Sequence, residues 1–333
     1  MSRPNTSNNP ILQVRDLKMH FPVKKGLRTL GTVRAVDGLS FDLYEGETLA
    51  LVGESGCGKS TTGRAVLRLI DATDGSIQFQ GEEVLKMSRS RLFQLRREMQ
   101  IVFQDAYSFL NPRLTIGESI LEAMEVHGLH TKQQRADKLS ELLDIVGLND
   151  SYAGRYPHEL SGGQRQRIGI ARALSLHPKV IVADEPVSAL DVSVQSQVLN
   201  LFQDLKDQFG LSYLFISHDL SVVRHVADRV AVMYLGKIVE TGTADELFEH
   251  PQHPYTQALL SAVPQPEVAV ARERIILKGE VPSPMSPPSG CAFHTRCPIA
   301  TESCRHETPA LARSKAGHLV ACHLVEVEGG VTS

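Results

Sequence analysis

Nine residues, GESGCGKST at positions 53–61, restrict this chain more than anything else in it. They fit the spacing G-x4-G-K-[ST], between the apolar run TLALV (48–52) and the helix-forming pattern TTGRAVLRLI (61–70). A strand that turns through glycines into a helix leaves backbone N–H groups facing one point, and the helix start adds positive potential there. That is the context a phosphate-binding loop requires. Gly53, Glu54, Ser55, Gly56, Cys57, Gly58, Lys59, Ser60 and Thr61 would surround the phosphates. Lys59 is expected to reach the β- and γ-phosphates, and Ser60 to ligate Mg²⁺.

The pattern around the loop predicts an α/β fold. ILQVRDLKMHF (11–21) alternates as a strand does, VKKGLRTLGTVR (23–34) reads as a hairpin loop, and residues 35–56 supply further strands of a partly antiparallel lobe. Residues 91–148 are rich in helix formers, with a break at Asn111-Pro112. Apolar strands at 179–183 and 211–217 flank a helical segment, 193–209, and this alternation predicts a parallel sheet covered by helices. RVAVMYL and KIVETG close the series of strands. Beyond Pro264 the composition changes. VPQPEVAVARER reads as a linker, GEVPSPMSPPSG as an extended proline-rich stretch, and Cys291, Cys297, Cys304 and Cys322 follow. The expected organisation is a nucleotide-binding domain over 1–265, with a helical subdomain at about 106–161, and a small extension over 266–333.

Charge and hydropathy exclude other classes. Lys and Arg total 35 against 38 Asp and Glu, a net charge of -3, which offers no electrostatic footprint for nucleic acid or an acidic membrane surface. No apolar run approaches the ~20 residues of a membrane-spanning helix. The opening MSRPNTSNNP lacks the apolar core of a signal peptide. The expectation is a cytoplasmic protein that acts on membranes only through a partner.

A second motif, KVIVADEP (179–186), places Asp184 at the end of a buried strand, where it can hold Mg²⁺ through water. Glu185, one residue on, points differently and can polarise an attacking water. No N-K-x-D guanine-reading motif occurs. A third motif, LSGGQRQRIGIARAL (160–174), resembles the signature of the ATP-binding cassette (ABC) ATPases. The resemblance implies an ABC-type P-loop ATPase with a mixed-sheet lobe and a helical lobe. It also implies that Ser161, Gly162, Gly163 and Gln164 face the ATP of a second cassette. Gln104, in QIVFQDAYSFLNPR, matches the glutamine that senses Mg²⁺ and links to the membrane subunits. Ser188 to Asp191 resembles the D-loop, His218 matches the switch histidine that contacts the γ-phosphate, and Phe21 sits where an aromatic stacks on adenine, with His20 able to share that role.

The ends of the cassette resemble a narrower group. HPQHPYTQALLSAVPQP (250–266) and LKGEVPSPMSPPSGCAFHTRCP (277–298) look like segments of the oligopeptide and dipeptide importer ATPases, closest to the second ATPase subunit of dipeptide importers. Ala106 and Phe109 depart from that group's usual residues. The resemblance implies a related ATPase as heterodimer partner, two transmembrane permease subunits, an extracytoplasmic substrate-binding protein, and a peripheral seat on the cytoplasmic face of the cytoplasmic membrane. Related importers of nickel, glutathione or oligosaccharides use similar subunits, so cargo stays open. A non-transport ABC ATPase fits less well, because neither a second cassette nor a heptad-repeat insertion occurs. The spacing C-x5-C-x6-C-x17-C is not that of a zinc ribbon. Four thiolates suffice for a [4Fe–4S] cluster, which members of the resembled group carry. His294, His306, His318 and His323 keep a mixed-ligand zinc site open, and buried free thiols are the third reading.

Overall fold

Short runs of valine, isoleucine and leucine set the strands, and the positions of glycine and of Ser or Thr caps set where helices begin and end. The computed structural model describes residues 9–26, 28–263, 274–328 and 330–331. Two compact units emerge: one is residues 87–216, and the other comprises the described residues up to 86 together with those from 217 onward. Elements are numbered along the chain.

In the second of these units, β1 (Leu12–Lys25) and β2 (Arg28–Leu43) form one long antiparallel hairpin, paired from Leu12↔Leu43 to Lys25↔Arg28. The stretch 23–34, expected as a loop, is therefore mostly strand. Backbone pairing satisfies its N–H and C=O groups whatever its Lys, Gly and Thr content, and bulges absorb the irregular register. β4 (Asp74–Phe79) pairs with the other edge of β1, and β5 (Glu82–Glu83) with β4, giving the order β2-β1-β4-β5.

The same unit carries β3 (Thr48–Val52), buried at all five positions, and α1 (Lys59–Val66) after it. β3 runs parallel to β9 (Arg229–Tyr234), which pairs antiparallel with β10 (Lys237–Thr243). The tail then adds β12 (Leu319–Val320) to β10 and β11 (Ala312–Arg313) to β12. Thus the tail extends a mixed sheet instead of hanging from it. Around this sheet lie α8 (Leu220–Val226), α9 (Ala244–Glu249), α10 (Pro254–Ser261) and the short α11 (Ser303–His306). β13 (Glu326–Val327) and β14 (Gly330–Val331) pair with each other. The expected linker falls largely on 264–273, outside the described residues. The proline-rich stretch after it is anchored, with Arg34 donating its N–H to the Pro284 carbonyl at 3.0 Å.

In the 87–216 unit, α2 (Arg89–Glu98) runs straight into β6 (Met99–Val102). That strand lies inside the stretch expected to be helical. Four residues are too few to show a period, and only parallel pairing with β7 (Val180–Asp184) defines them. α3 (Ala106–Phe109), α4 (Ile116–Val126), α5 (Lys132–Ile145) and α6 (Gly162–Leu174) follow, and the Asn111-Pro112 break separates α3 from α4. Capping boxes open α4 (Thr115, Glu118), α5 (Thr131, Gln134) and α6 (Ser161, Gln164). After β7 comes α7 (Val192–Phe209), closed by Gly210 at φ 64°, then β8 (Ser212–Ser217), parallel to β7. Among the described residues no helix is long and apolar enough to cross a membrane.

Packing in the loop-bearing unit centres on aromatic rings. Phe293, from the tail, is 1% exposed and lies 5.2 Å from the Tyr234 ring and 5.3 Å from that of Tyr255. Phe293→Ala should destabilise this unit by about 3–5 kcal/mol, read from urea denaturation of the full chain. His253 caps α10, its Nδ1 accepting the Tyr255 N–H at 3.1 Å, and burial depresses its pKa from 6.5 to about 4. The unfolded chain binds that proton more readily. Stability owed to neutral His253 is therefore complete above about pH 6.5 and is lost as the pH falls toward 4, by up to about 3 kcal/mol. His253→Asn, which keeps a capping oxygen, should flatten the pH dependence of the urea midpoint across that window.

Candidate nucleotide site

Between β3 and α1 the chain turns through Gly53 (φ 152°), Gly56 (φ 81°) and Gly58 (φ 109°). Side chains are excluded at two of these by packing as well as by backbone angle. A Cβ on Gly53 would lie 2.2 Å from the Met233 carbonyl oxygen, and one on Gly58 2.1 Å from that of Ala35. Lys59, 4% exposed, folds back over the loop and donates from Nζ to the carbonyls of Gly53 (2.7 Å) and Glu54 (3.1 Å). Cys57 is buried, its thiol pushed up by that burial, and its carbonyl accepts the Gly236 N–H at 3.0 Å. Ser60 and Thr61 begin α1, and Thr62 Oγ1 donates to the Gly58 carbonyl at 3.0 Å.

Glu54 has partners that no motif announced. Arg296 Nη1 and Nη2 donate to its two carboxylate oxygens at 2.6 and 3.0 Å, and its own N–H donates to Tyr255 Oη at 2.9 Å. A local signal existed only in part: an Arg beside Cys297 and a Tyr in His-Pro-Tyr are visible, but their common target is not.

Phe21 lies on β1 and is 41% exposed, so it is a presented ring and not a core residue. The neighbouring His20 has its Nε2 2.9 Å from Asp37 Oδ1. His218, directly after β8, is exposed.

In the 87–216 unit, Asp184 ends β7 at 5% exposure. Glu185 follows in the left-handed region at φ 49°, a strained conformation for a residue with a Cβ, and its N–H donates to the Ile216 carbonyl at 2.9 Å. Ser161 caps α6, its Oγ accepting the Gln164 N–H at 3.3 Å while Gln164 Oε1 accepts the Ser161 N–H at 3.0 Å. Gly162 faces Leu190, and a Cβ on Gly163 would lie 2.3 Å from Val194 Cγ1, so the 161–164 turn is fitted against the D-loop and the start of α7. Asp191 is the N-cap residue of α7. Gln195, which sequence reasoning missed, clamps the D-loop by donating from Nε2 to the carbonyls of Val187 and Leu190, both at 3.0 Å.

Gln104, two residues beyond β6, is exposed. The departure at Phe109 has a local explanation: its ring covers Gly169 of α6, where a Cβ would lie 2.7 Å from it, and stands 5.7 Å from Phe103.

Comparison with known proteins decides the family. The ABC transporter family profile matches residues 36–188, and that of the oligopeptide/dipeptide transporter C-terminal region matches 239–304. The oligopeptide transport ATP-binding protein AppF of Bacillus subtilis is 56% identical over 94% of this chain and 97% of its own. The chain belongs to the ABC transporter family. Among solved structures, cbiO1 of Clostridium perfringens, part of the ABC transporter complex cbiONQ, superposes with a TM-score of 0.63 at 26% identity, covering 73% of this chain and 92% of that one. The dimeric ATP-binding cassette MJ0796, in a post-hydrolysis state bound to ADP and Pi, gives 0.61 at 27% identity, covering 70% and 98%.

In the tail of this ABC cassette all four cysteines are free thiols. Burial raises the pKa of Cys291 to about 11, and the neighbouring sulfurs of Cys304, Cys322 and Cys297 add to the shift. Cys297 and Cys322 are raised for the same reasons, burial first. Among the described residues no three Cys, His, Asp or Glu side chains gather closely enough to hold a single metal ion. The histidines of the tail are engaged elsewhere in part: His323 contacts the Glu307 carbonyl at 2.9 Å, and His318 lies 3.7 Å from Glu240.

Gly58→Ala should weaken ATP binding at least about tenfold, because the methyl group has no room beside Ala35 and the backbone must leave its left-handed angle. Equilibrium titration of the full chain with a fluorescent ATP analogue measures this.

Proposed function

We propose that this chain is the ATP-hydrolysing subunit of an ABC importer for oligopeptides or dipeptides. The observation that carries the reading is the ready-formed phosphate cradle, with Lys59 drawn onto the Gly53 and Glu54 carbonyls, in a chain whose residues 239–304 match the oligopeptide/dipeptide transporter C-terminal region.

In this reading the loop N–H groups and Lys59 meet the charge on the β- and γ-phosphates, and the exposed Phe21 stacks on adenine. Ser60, Gln104 and, through water, Asp184 would hold Mg²⁺, which would supply neutralising charge to the transferring phosphoryl group. Glu185 orients a water in line with the γ-phosphorus and takes up its proton as the P–O bond to the β-phosphate breaks. His218 donates to the γ-phosphate oxygens. Ser161, Gly162, Gly163 and Gln164 close on the ATP of a second cassette, and Asp191 lies in the D-loop that meets it. The N–H groups at the start of α6 suit that role, since a helix N-terminus favours anions.

The assembly is a related second cassette, two transmembrane permease subunits and an extracytoplasmic binding protein, with this chain peripheral on the cytoplasmic face of the membrane. The unbroken cassette with its importer-type tail supports that arrangement. Cys291, Cys297, Cys304 and Cys322 would hold a [4Fe–4S] cluster in a structural role. The fit rests on the donor set: four undisulfided sulfurs, with Cys304, Cys322 and Cys297 near enough to Cys291 to add to the burial-driven rise of its pKa. Bound there, such a cluster would cross-link the tail.

Glu185→Gln should lower ATP turnover at least about 100-fold while leaving ATP binding intact. In cells lacking other peptide importers, uptake of a labelled dipeptide should be lost with it. Undiminished uptake overturns the peptide reading and directs attention to nickel, glutathione and oligosaccharides. Iron and sulfide analysis of anaerobically purified protein should find about four of each per chain. Zinc instead, or no metal, overturns the cluster.

A further inference from the structure

We propose that Arg296 and Tyr255 are positioning residues of the phosphate loop, so that the tail of this cassette sets its affinity for nucleotide phosphate. The inference rests on the reading of residues 53–61 as that loop.

Glu54 is an acidic residue inside a loop whose task is to hold anions. Left unpaired, its charge opposes a triphosphate a few ångströms away. Arg296 removes that conflict. Its guanidinium grips both carboxylate oxygens in a forked, charge-assisted pair, its side chain 7% exposed against 29% for that of Glu54, so the pair is partly shielded from solvent. The loop main chain is held at the same residue. The Glu54 N–H donates to Tyr255 Oη, and its carbonyl accepts from Lys59 Nζ. Every polar group of Glu54 is thereby engaged, its carboxylate by Arg296 of the tail and its N–H by Tyr255 of α10.

The grips are mounted on a rigid base. The Phe293 carbonyl accepts the N–H groups of both Arg296 and Cys297 at 3.0 Å, a tight turn between two cysteines. The Phe293 ring is locked among Tyr234, Tyr255 and His253. Cys291 N–H donates to the Cys304 carbonyl at 2.8 Å, tying the turn to α11. Gly53 and Gly56 make the loop pliable, so an external brace at Glu54 has a conformation to select. A merely structural ion pair would stabilise the fold without regard to phosphate. A positioning pair affects phosphate binding in particular, and mainly through the Glu54 charge.

The test uses the full chain and a fluorescent ATP analogue, with adenosine as a phosphate-free control and thermal melting to verify folding. Arg296→Gln should weaken the ATP analogue about tenfold, leave adenosine unchanged, and recover most of the loss when Glu54→Gln is added. Arg296→Lys, which keeps the charge and is the variant to use if Arg296→Gln does not fold, should lose only about threefold. Tyr255→Phe should weaken ATP by a similar small factor. Unchanged ATP affinity in Arg296→Gln or Arg296→Lys overturns the proposal, as does a loss that Glu54→Gln fails to recover or that adenosine shares. Lys59→Ala separates the two readings. If it binds ATP normally, the phosphate-loop assignment falls; if it loses ATP while Arg296→Gln does not, only the brace falls.

Discussion

The return of the Lys59 ammonium onto the carbonyls of Gly53 and Glu54 is the contact on which the site depends. A buried lysine requires acceptors, and here the loop supplies them from its own backbone. Doing so obliges the chain to turn sharply between β3 and α1. Gly53 and Gly58 make that turn where neighbouring carbonyls leave no room for a side chain. The buried strand below and the helix above are then fixed in direction.

The second feature is what the tail does to this loop. Composition suggests an appendage, but Val320 completes a sheet edge, Phe293 fills the aromatic core and Arg296 neutralises Glu54. A segment of this kind has little hydrophobic core of its own, and it gains order by borrowing that of the cassette. Cys291 and Cys297 lie at either side of the turn that carries Arg296.

In the 87–216 unit, local and tertiary determinants divide clearly. Capping boxes at Thr115, Thr131 and Ser161 are written in four-residue patterns and start their helices where those patterns stand. The Glu185 backbone is tied to Ile216, remote in the chain, whereas the Gln195 clamp spans only five and eight residues.

What the sequence by itself determined is the set of chemical parts and their order: the glycine loop with Lys59, the acidic pair after an apolar strand, the capped Ser161 turn, and the alternation that makes the sheet parallel. These are legible because each is a contiguous run whose backbone requirements, such as left-handed glycines, helix caps and buried strands, are met by residues a few positions apart. Tertiary structure alone decided that Met99–Val102 joins a sheet, that Phe109 covers Gly169 and that Arg296 reaches Glu54. In each case the partner is remote in the chain, and a backbone hydrogen bond, a packed ring or an ion pair carries no trace in the spacing of either partner alone.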